Sequence, residues 1–240
     1  MLKAVLFDWG GTLMQEEWND EIALEGYSAG LAALARDGLP TPDDFTRFLN
    51  EHEELFAIAA EDEIDIAAVM RRPFEHHGFE LEDAELRQFL TAAHGVWASY
   101  YSLASSTHAL LEALRSRGLK LALVSNTASP EWLLRPVLEQ QGLVERLDAI
   151  VLSSEVGKRK PHPAIFEQAL SELSVRAGEA LFVGDRLDAD VLGTSRLGLQ
   201  TVQAVWFRAD DDQVDVEPDF QAFTQMDVLN VVDRLTGSRA

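Results

Sequence analysis

The sequence contains no cysteine, which excludes disulfides, thiolate nucleophiles and cysteine-built zinc centres together. It is also poor in bases, with 20 Lys and Arg against 41 Asp and Glu, a formal net charge of −21. A field of that sign repels phosphate backbones and anionic lipid surfaces, so neither nucleic acid nor membrane is an expected partner. No apolar run is long enough to span a bilayer. The N-terminus offers one lysine and a short strand rather than a signal-peptide core, and a soluble cytoplasmic protein is expected. Lysine is scarce in particular: the only ones are Lys3, Lys120, Lys158 and Lys160. Internal repeats and low-complexity segments are absent as well.

With 240 residues, 47% of them hydrophobic, the chain can bury a substantial core as one large domain or as one domain with an insertion. Its acid is unevenly spread. Residues 15–87 hold 20 acidic and 5 basic side chains, a net of −15, which marks this stretch as a separate unit. Ahead of it, Ala4-Val5-Leu6-Phe7 reads as a buried parallel strand that stops at Asp8. Gly10 and Gly11 then let the backbone turn sharply. Helical spacing follows from about Asn19 to Arg36, closing at Gly38 and Pro40. Thr41-Pro42 reads as a cap with proline in the first turn, and Phe45, Phe48, Leu49, Leu55 and Phe56 supply the next apolar stripe. Two more helices are expected over about 64–76 and 82–100, and no strand between residues 15 and 100.

Helix and strand then alternate. Strands are expected at 120–124, 148–152, 180–184 and 200–205, with helices at 106–117, from about 129, and at 163–173, 189–197 and 228–235. Strands separated by helix-length crossovers imply parallel βαβ units. The expected fold is therefore α/β: a Rossmann-like parallel five-stranded core, residues 1–14 plus 101–240, carrying an inserted all-helical cap domain, residues 15–100. The carboxyl ends of parallel strands gather in one crevice. That crevice would collect Asp8, Ser125 and Asn126, Asp185 and, from the loop after the third strand, Lys160. Two carboxylates, a hydroxyl and an ammonium suit a divalent cation with a phosphoryl group, because hard Mg²⁺ takes oxygen ligands and lysine serves as a point-charge phosphate partner.

Four motifs in order resemble the haloacid dehalogenase superfamily, in its subfamily with a helical cap after the first motif. They are Asp8-Trp9-Gly10-Gly11-Thr12, Val124-Ser125-Asn126-Thr127, Lys160-Pro161-His162-Pro163 and Val183-Gly184-Asp185 running through Asp190, and together they span essentially the whole chain. The resemblance implies a Mg²⁺-dependent hydrolase, a phosphatase acting on a small phosphorylated metabolite. Asp8 would form an aspartyl-phosphate. Mg²⁺ would be held by Asp8, the backbone carbonyl of Gly10 and Asp185, with Thr12 and Asp190 behind them, Asp190 orienting Asp185 or a metal-bound water. Ser125 and Asn126 would bind the phosphoryl oxygens, and Lys160 would neutralise developing charge. Lys158 and Arg159 read as solvated loop charges, His162 as structural, and Asp188 as a helix cap.

The pattern departs from the family at Gly10, where its phosphatases carry a second aspartate that protonates the leaving alcohol and then activates water. A positioned acid–base is worth on the order of 10²–10⁴ in rate. The departure leaves three readings: a phosphatase for substrates with good leaving groups such as acyl phosphates, a weak or silent metal- and ligand-binding protein of this fold, and a 2-haloacid dehalogenase. Against the last, Asp185 retains the metal carboxylate. Phosphonoacetaldehyde hydrolysis requires a cap lysine, and residues 15–100 contain none. Glu16 and Glu17 either fold back over the site to replace the missing acid or are solvated charges at the start of a linker. Arg71-Arg72 and His76-His77 either read a substrate's anionic end or pair with neighbouring carboxylates.

Overall fold

A computed structural model of the chain describes residues 1–52, 61–207 and 214–237. The polypeptide enters through strand β1 (Ala4–Phe7), whose four side chains are all fully buried. After a tight turn comes β2 (Met14–Glu16), then four helices: α1 (Asp20–Leu34), α2 (Pro42–Glu51), α3 (Ile66–His76) and α4 (Asp83–Ala98). Strand β3 (Tyr101–Leu103) returns antiparallel to β2, pairing Met14 with Leu103 and Glu16 with Tyr101. The alternation expected from sequence follows: α5 (Thr107–Ser116), β4 (Lys120–Ser125), α6 (Glu131–Gln140), β5 (Ala149–Leu152), the short α7 (Ser153–Val156), α8 (Pro163–Leu173), β6 (Ala180–Gly184), α9 (Leu192–Leu197), β7 (Gln200–Ala204), β8 (Phe220–Ala222) and α10 (Asp227–Thr236).

Among the described residues the main sheet has six parallel strands in the order β5-β4-β1-β6-β7-β8. Numbered along the chain this is 3-2-1-4-5-6, the doubly wound order, and β1 lies beside the point where the winding reverses. Because side chains alternate along a strand, Val5 and Phe7 join one core and Ala4 and Leu6 the other. On the first face they meet Leu110 and Leu114 of α5, Leu134 of α6 and Val232 of α10. On the second they meet Ile165, Phe166 and Leu170 of α8. A sheet covered on both faces explains why β1, β4 and β6 read as continuous apolar runs rather than alternating ones.

The four helices pack around an aromatic centre of their own. Phe45 stacks on Tyr27 and on Phe89, both at 5.2 Å between ring centroids, and meets Phe74 edge-on at 5.0 Å. Their starts are fixed by polar caps: Asn19 Oδ1 accepts from Ile22 N, Asp65 from Ala67 N and Ala68 N, and Thr41 forms a capping box with Asp44.

Four expectations need correction. The sheet has six strands rather than five. The extra one, β8, pairs over only three residues at the sheet edge, too few to show a pattern, and Asp219 anchors it by accepting from Thr201 N at 2.9 Å. The stretch expected to hold no strand begins in one, since β2 extends to Glu16. Helix α1 stops before Gly38, because Ala35 itself takes the left-handed conformation (φ 48°) and closes it. The helix expected from Ala189 is preceded by a wide π-helical turn, Leu187–Val191, leading into α9. Leu55 and Phe56 lie outside the described residues. No described helix is long and apolar enough to cross a membrane.

Candidate functional site

Asp8 follows the last residue of β1, and its amide donates to the Val183 carbonyl of β6 at 2.9 Å. The chain then folds back on itself: the Trp9 carbonyl accepts from the amides of Thr12, Leu13 and Met14, and Gly11 N donates to Met14 O at 2.7 Å. Gly11 holds φ +77°, and a Cβ there would stand 2.7 Å from Asp185 Oδ2. At Gly184 a Cβ would fall 2.3 Å from Asp190 Oδ2. Both positions need glycine because a carboxylate occupies the space beside the backbone. Gly10 differs, since a Cβ there would meet nothing within 4 Å.

Around this turn three carboxylates and one ammonium converge. Oxygen atoms of Asp8, Asp185 and Asp190 lie within 4.8 Å of one another. Lys160 Nζ sits 2.5 Å from Asp8 Oδ1 and 2.7 Å from Asp190 Oδ1, and is only 5% exposed. Burial raises the Asp8 carboxyl well above the usual carboxylate range. The Lys160 ammonium pulls it back, while Asp190 and Asp185 push it further up. Burial would lower Lys160, but the Asp190 and Asp8 carboxylates outweigh it and hold the ammonium above its ordinary value. With all three carboxylates ionised the cluster would carry an excess of two negative charges in a water-poor setting, a charge a cation would relieve, and every donor is a hard oxygen. That donor set and that charge fit a divalent cation of the Mg²⁺ kind.

The remaining predicted residues fall into place around the cluster. Ser125, 4% exposed at the end of β4, lines a cavity of about 440 Å³ together with Asp8, Gly10, Lys160 and Asp185. Asn126 lines it too, but its side chain is committed elsewhere. Its Oδ1 accepts from Lys160 N at 2.7 Å and its Nδ2 donates to Lys160 O at 3.1 Å. The Asn126 side chain thus clamps the backbone of Lys160, which leaves the backbone amide of Asn126 as the group that could meet a phosphoryl oxygen. Asp190, expected to orient Asp185 or a metal-bound water, lies in the carboxylate cluster, touches Lys160 directly and accepts from Arg186 N at 3.1 Å. Thr12 is fully buried. Its carbonyl accepts from Trp206 Nε1 and Gln225 Nε2, and its hydroxyl has no partner among the described residues. His162 is structural as expected, its Nδ1 accepting from Ala164 N at the start of α8. Asp188 pairs with Arg186 inside the π-helical turn rather than capping a helix.

Sequence reasoning missed two features. Arg159 is not a solvated loop charge, and Lys158, though solvated, is paired. Lys158 pairs with Asp62, and Arg159 pairs at 3.3 Å with Glu63, whose side chain is 2% exposed. Glu63 also accepts from Ser153 Oγ, while Arg159 N donates to Glu61 O at 2.8 Å and Glu63 N to Gly157 O at 3.2 Å. The segment 61–63, between α2 and α3, thus fastens onto the loop that carries Lys160. Opposite charges on the two segments were the only signal. Second, the β2–β3 ribbon brings Met14, Glu16 and Tyr101 into the cavity wall. Glu17 pairs through its backbone with Tyr100 and is not part of that wall. Arg71 pairs with Asp83 at 2.7 Å and His77 approaches Asp44, so these bases meet neighbouring carboxylates in the helical block.

The chain is similar to known proteins over most of its length. The family model described as haloacid dehalogenase-like hydrolase matches residues 2–198. The glyceraldehyde 3-phosphate phosphatase of Methanopyrus kandleri is 32% identical over 247 positions, covering 98% of this chain and 99% of that protein. The phosphoserine phosphatase of Thermus thermophilus is 31% identical over 224 positions, 85% of this chain and 88% of that protein. Among solved structures, a HAD phosphatase from Thermococcus onnurineus superposes with a TM-score of 0.64 at 25% identity, covering 96% of this chain and 98% of that one.

Proposed function

The chain belongs to the haloacid dehalogenase-like hydrolases, and from that premise we propose that it is a Mg²⁺-dependent phosphohydrolase acting on a small phosphorylated metabolite through Asp8. The observation that carries this reading is the buried Lys160 ammonium bridging Asp8 and Asp190, with Asp185 beside them, at the carboxyl end of the central strand. The carboxylates of Asp8 and Asp185 and the Gly10 carbonyl would hold the cation. Once bound, it supplies the charge that lets an anionic phosphoryl group approach an anionic nucleophile. The phosphatase names of full-length relatives support the same reaction class.

The chain's own residues then divide the work. An Asp8 carboxylate oxygen bonds to phosphorus as the bond from phosphorus to the leaving oxygen breaks, giving an aspartyl-phosphate that water later cleaves. Lys160 faces the incoming phosphoryl oxygens as a fixed positive charge, held in place by Asp190 and by the Asn126 clamp on its backbone. Ser125 at the end of β4 offers a hydroxyl to the same oxygens. Residues 15–100 act as a cap over a core formed by 1–14 and 101–240, attached through the Glu63 fastening, the β2–β3 ribbon and the packing of α4 against Trp132 and Leu133 of α6. The test is turnover of an activated aryl phosphate and of a panel of small phosphate esters and acyl phosphates with Mg²⁺. Activity is expected to be lost on chelation and in Asp8→Asn. Failure to turn over any of them overturns the reading in favour of a silent binding protein, the alternative that Gly10 alone favours.

A further inference from the structure

Phosphate ester hydrolysis at Asp8 needs a group that gives a proton to the leaving alcohol and later takes one from water. Gly10, the residue two positions after the nucleophile, has no side chain to do so. The titratable groups of the cavity can be taken in turn. Asp8, Asp185 and Asp190 form the carboxylate cluster, and Lys160 is bound between two of them. Asp188 is tied to Arg186 by two hydrogen bonds, at 2.9 and 2.5 Å. Burial, and secondarily the charge of Glu16, push the Tyr101 phenol far up, so it is a poor proton acceptor from water near neutrality. Glu16 remains. Its side chain makes no hydrogen bond or ion pair with any described residue, and it lines the same cavity as Asp8 and Gly10.

Its placement follows from strand geometry. Alternation along β2 puts Met14 and Glu16 on one side of the ribbon and Gln15 on the other, and Tyr101 stands opposite Glu16 in the β2–β3 pair. All three of Met14, Glu16 and Tyr101 line the cavity, whereas Gln15 does not. The ribbon is tied to the nucleophile turn by a bridge between Gly10 and Met14 and by the hydrogen bond from Gly11 N to Met14 O. The side of Gly10 where an acid would stand is open space. Glu16 is exposed as a residue, yet desolvation of its carboxyl against this wall raises it above the ordinary value, the direction a general acid requires.

We propose that Glu16 is the catalytic acid and base of this enzyme, reaching from the β2–β3 ribbon into the space left open at Gly10. The inference rests on the phosphohydrolase reading above. In the first step the Glu16 carboxylic acid protonates the alcohol oxygen as its bond to phosphorus breaks and the Asp8 oxygen bonds to phosphorus. The products are the alcohol, the aspartyl-phosphate and the Glu16 carboxylate. In the second step that carboxylate takes a proton from water as the water oxygen bonds to phosphorus. The bond to Asp8 breaks, inorganic phosphate leaves, and Glu16 is again protonated.

The test compares kcat/KM for a series of phosphate monoesters, from activated aryl to simple alkyl, in the unaltered protein, Glu16→Gln and the double variant Glu16→Gln with Gly10→Asp. The aryl ester needs no proton in the step that kcat/KM reports, so Glu16→Gln is expected to change it less than threefold. Alkyl esters are expected to fall on the order of 10²–10³-fold, making the dependence on leaving-group acidity steeper. Gly10→Asp introduces an acid at the open position and is expected to recover at least tenfold of the alkyl loss. An equal fall for aryl and alkyl esters would show Glu16 to be merely structural, and no fall would remove it from the chemistry; either result overturns the proposal. Both leave the phosphohydrolase reading intact as long as Asp8→Asn abolishes aryl phosphate turnover. Absence of turnover in the unaltered protein overturns both.

Discussion

Replacing Lys160 by methionine tests the charge balance of the site directly. Methionine keeps the length and apolar stem of the side chain and removes only the ammonium, which is 5% exposed and sits 2.5 Å from Asp8 and 2.7 Å from Asp190. With Lys160 present the three carboxylates leave a net charge of −2, and without it −3. At 4.8 Å, the largest separation within the cluster, and an effective dielectric of about 20, each pair of ionised carboxylates repels by about 3.5 kcal/mol. Three such pairs approach the whole stability of an ordinary domain, about 5–15 kcal/mol. Asp8, already raised by burial, must therefore take up a proton, and the cost of the variant becomes dependent on pH.

The sign follows from Asp8, whose carboxyl is raised in the folded protein by burial, then by its acidic neighbours, with Lys160 the group that draws it down. A folded-state value above the unfolded one means the native state binds the extra proton. Stability is then present at acid pH and lost as pH rises through the folded value. Lys160→Met removes the one opposing influence and steepens that loss. Urea unfolding without added metal should show the variant destabilised by about 3–5 kcal/mol near pH 8, the usual cost of breaking a buried ion pair. The difference should narrow to about 1–2 kcal/mol near pH 5, where protonation relieves the same repulsion. Millimolar Mg²⁺ at the higher pH should recover most of the loss, because a cation that binds only the native state stabilises it by mass action. A loss that is the same at both pH values and indifferent to Mg²⁺ would refute the reasoning and make Lys160 a packing residue.

Three further outcomes are expected. Glu63→Ala removes a side chain, 2% exposed, that accepts from Ser153 and Ile64 and pairs with Arg159, so urea unfolding should show a loss of about 2–4 kcal/mol; a loss under about 0.5 kcal/mol would reduce the fastening to an ordinary surface pair. His94 is buried, its Nε2 has no hydrogen-bond partner among the described residues, and burial pushes its imidazole from 6.5 down to about 4. A base lowered on folding stabilises above its unfolded value and loses that contribution as pH falls, so between pH 6.5 and about 4 the unaltered protein should lose on the order of 2–3 kcal/mol more than His94→Gln; parallel pH–stability curves would refute this. Gly184→Ala places a methyl 2.3 Å from Asp190 Oδ2, so the carboxylate whose other oxygen holds Lys160 must shift. Aryl phosphate turnover should fall at least tenfold while stability falls by about 1–3 kcal/mol, and retained turnover would show that Asp190 need not be where it is.

The central strand and its carboxylate were legible because each local choice agrees with the fold. β1 is uniformly apolar since both faces of the sheet are covered, and a strand that ends in Asp followed by two glycines can do little but turn. Lys160, Ser125 and Asp185 were legible for a related reason, since parallel strands bring their carboxyl ends to one edge whatever the loops do. What escaped was set by partners remote in sequence. Lys158 and Asp62 are 96 positions apart, and neither neighbourhood records that the other exists beyond its sign of charge. Asn126 had the right type for a phosphoryl ligand, yet the nearest groups in need of hydrogen bonds were the amide and carbonyl of Lys160. Strands of three residues, such as β2 and β8, carry too few alternations to be read from pattern.

The three glycines of the site settle what the departure at Gly10 means physically. Gly11 is required twice over, by its positive φ and by the Asp185 carboxylate 2.7 Å from where its Cβ would be. Gly184 is required by Asp190 at 2.3 Å. Gly10 is required by neither argument: its φ lies outside the left-handed region, and a side chain would project into open cavity. The backbone would accept an aspartate there, so the missing acid is not a concession to the turn. To hydrolyse alcohol esters, a site complete in its carboxylates and lysine but open at this position must draw its proton from another wall of the cavity. The wall hydrogen-bonded to this same turn carries Glu16.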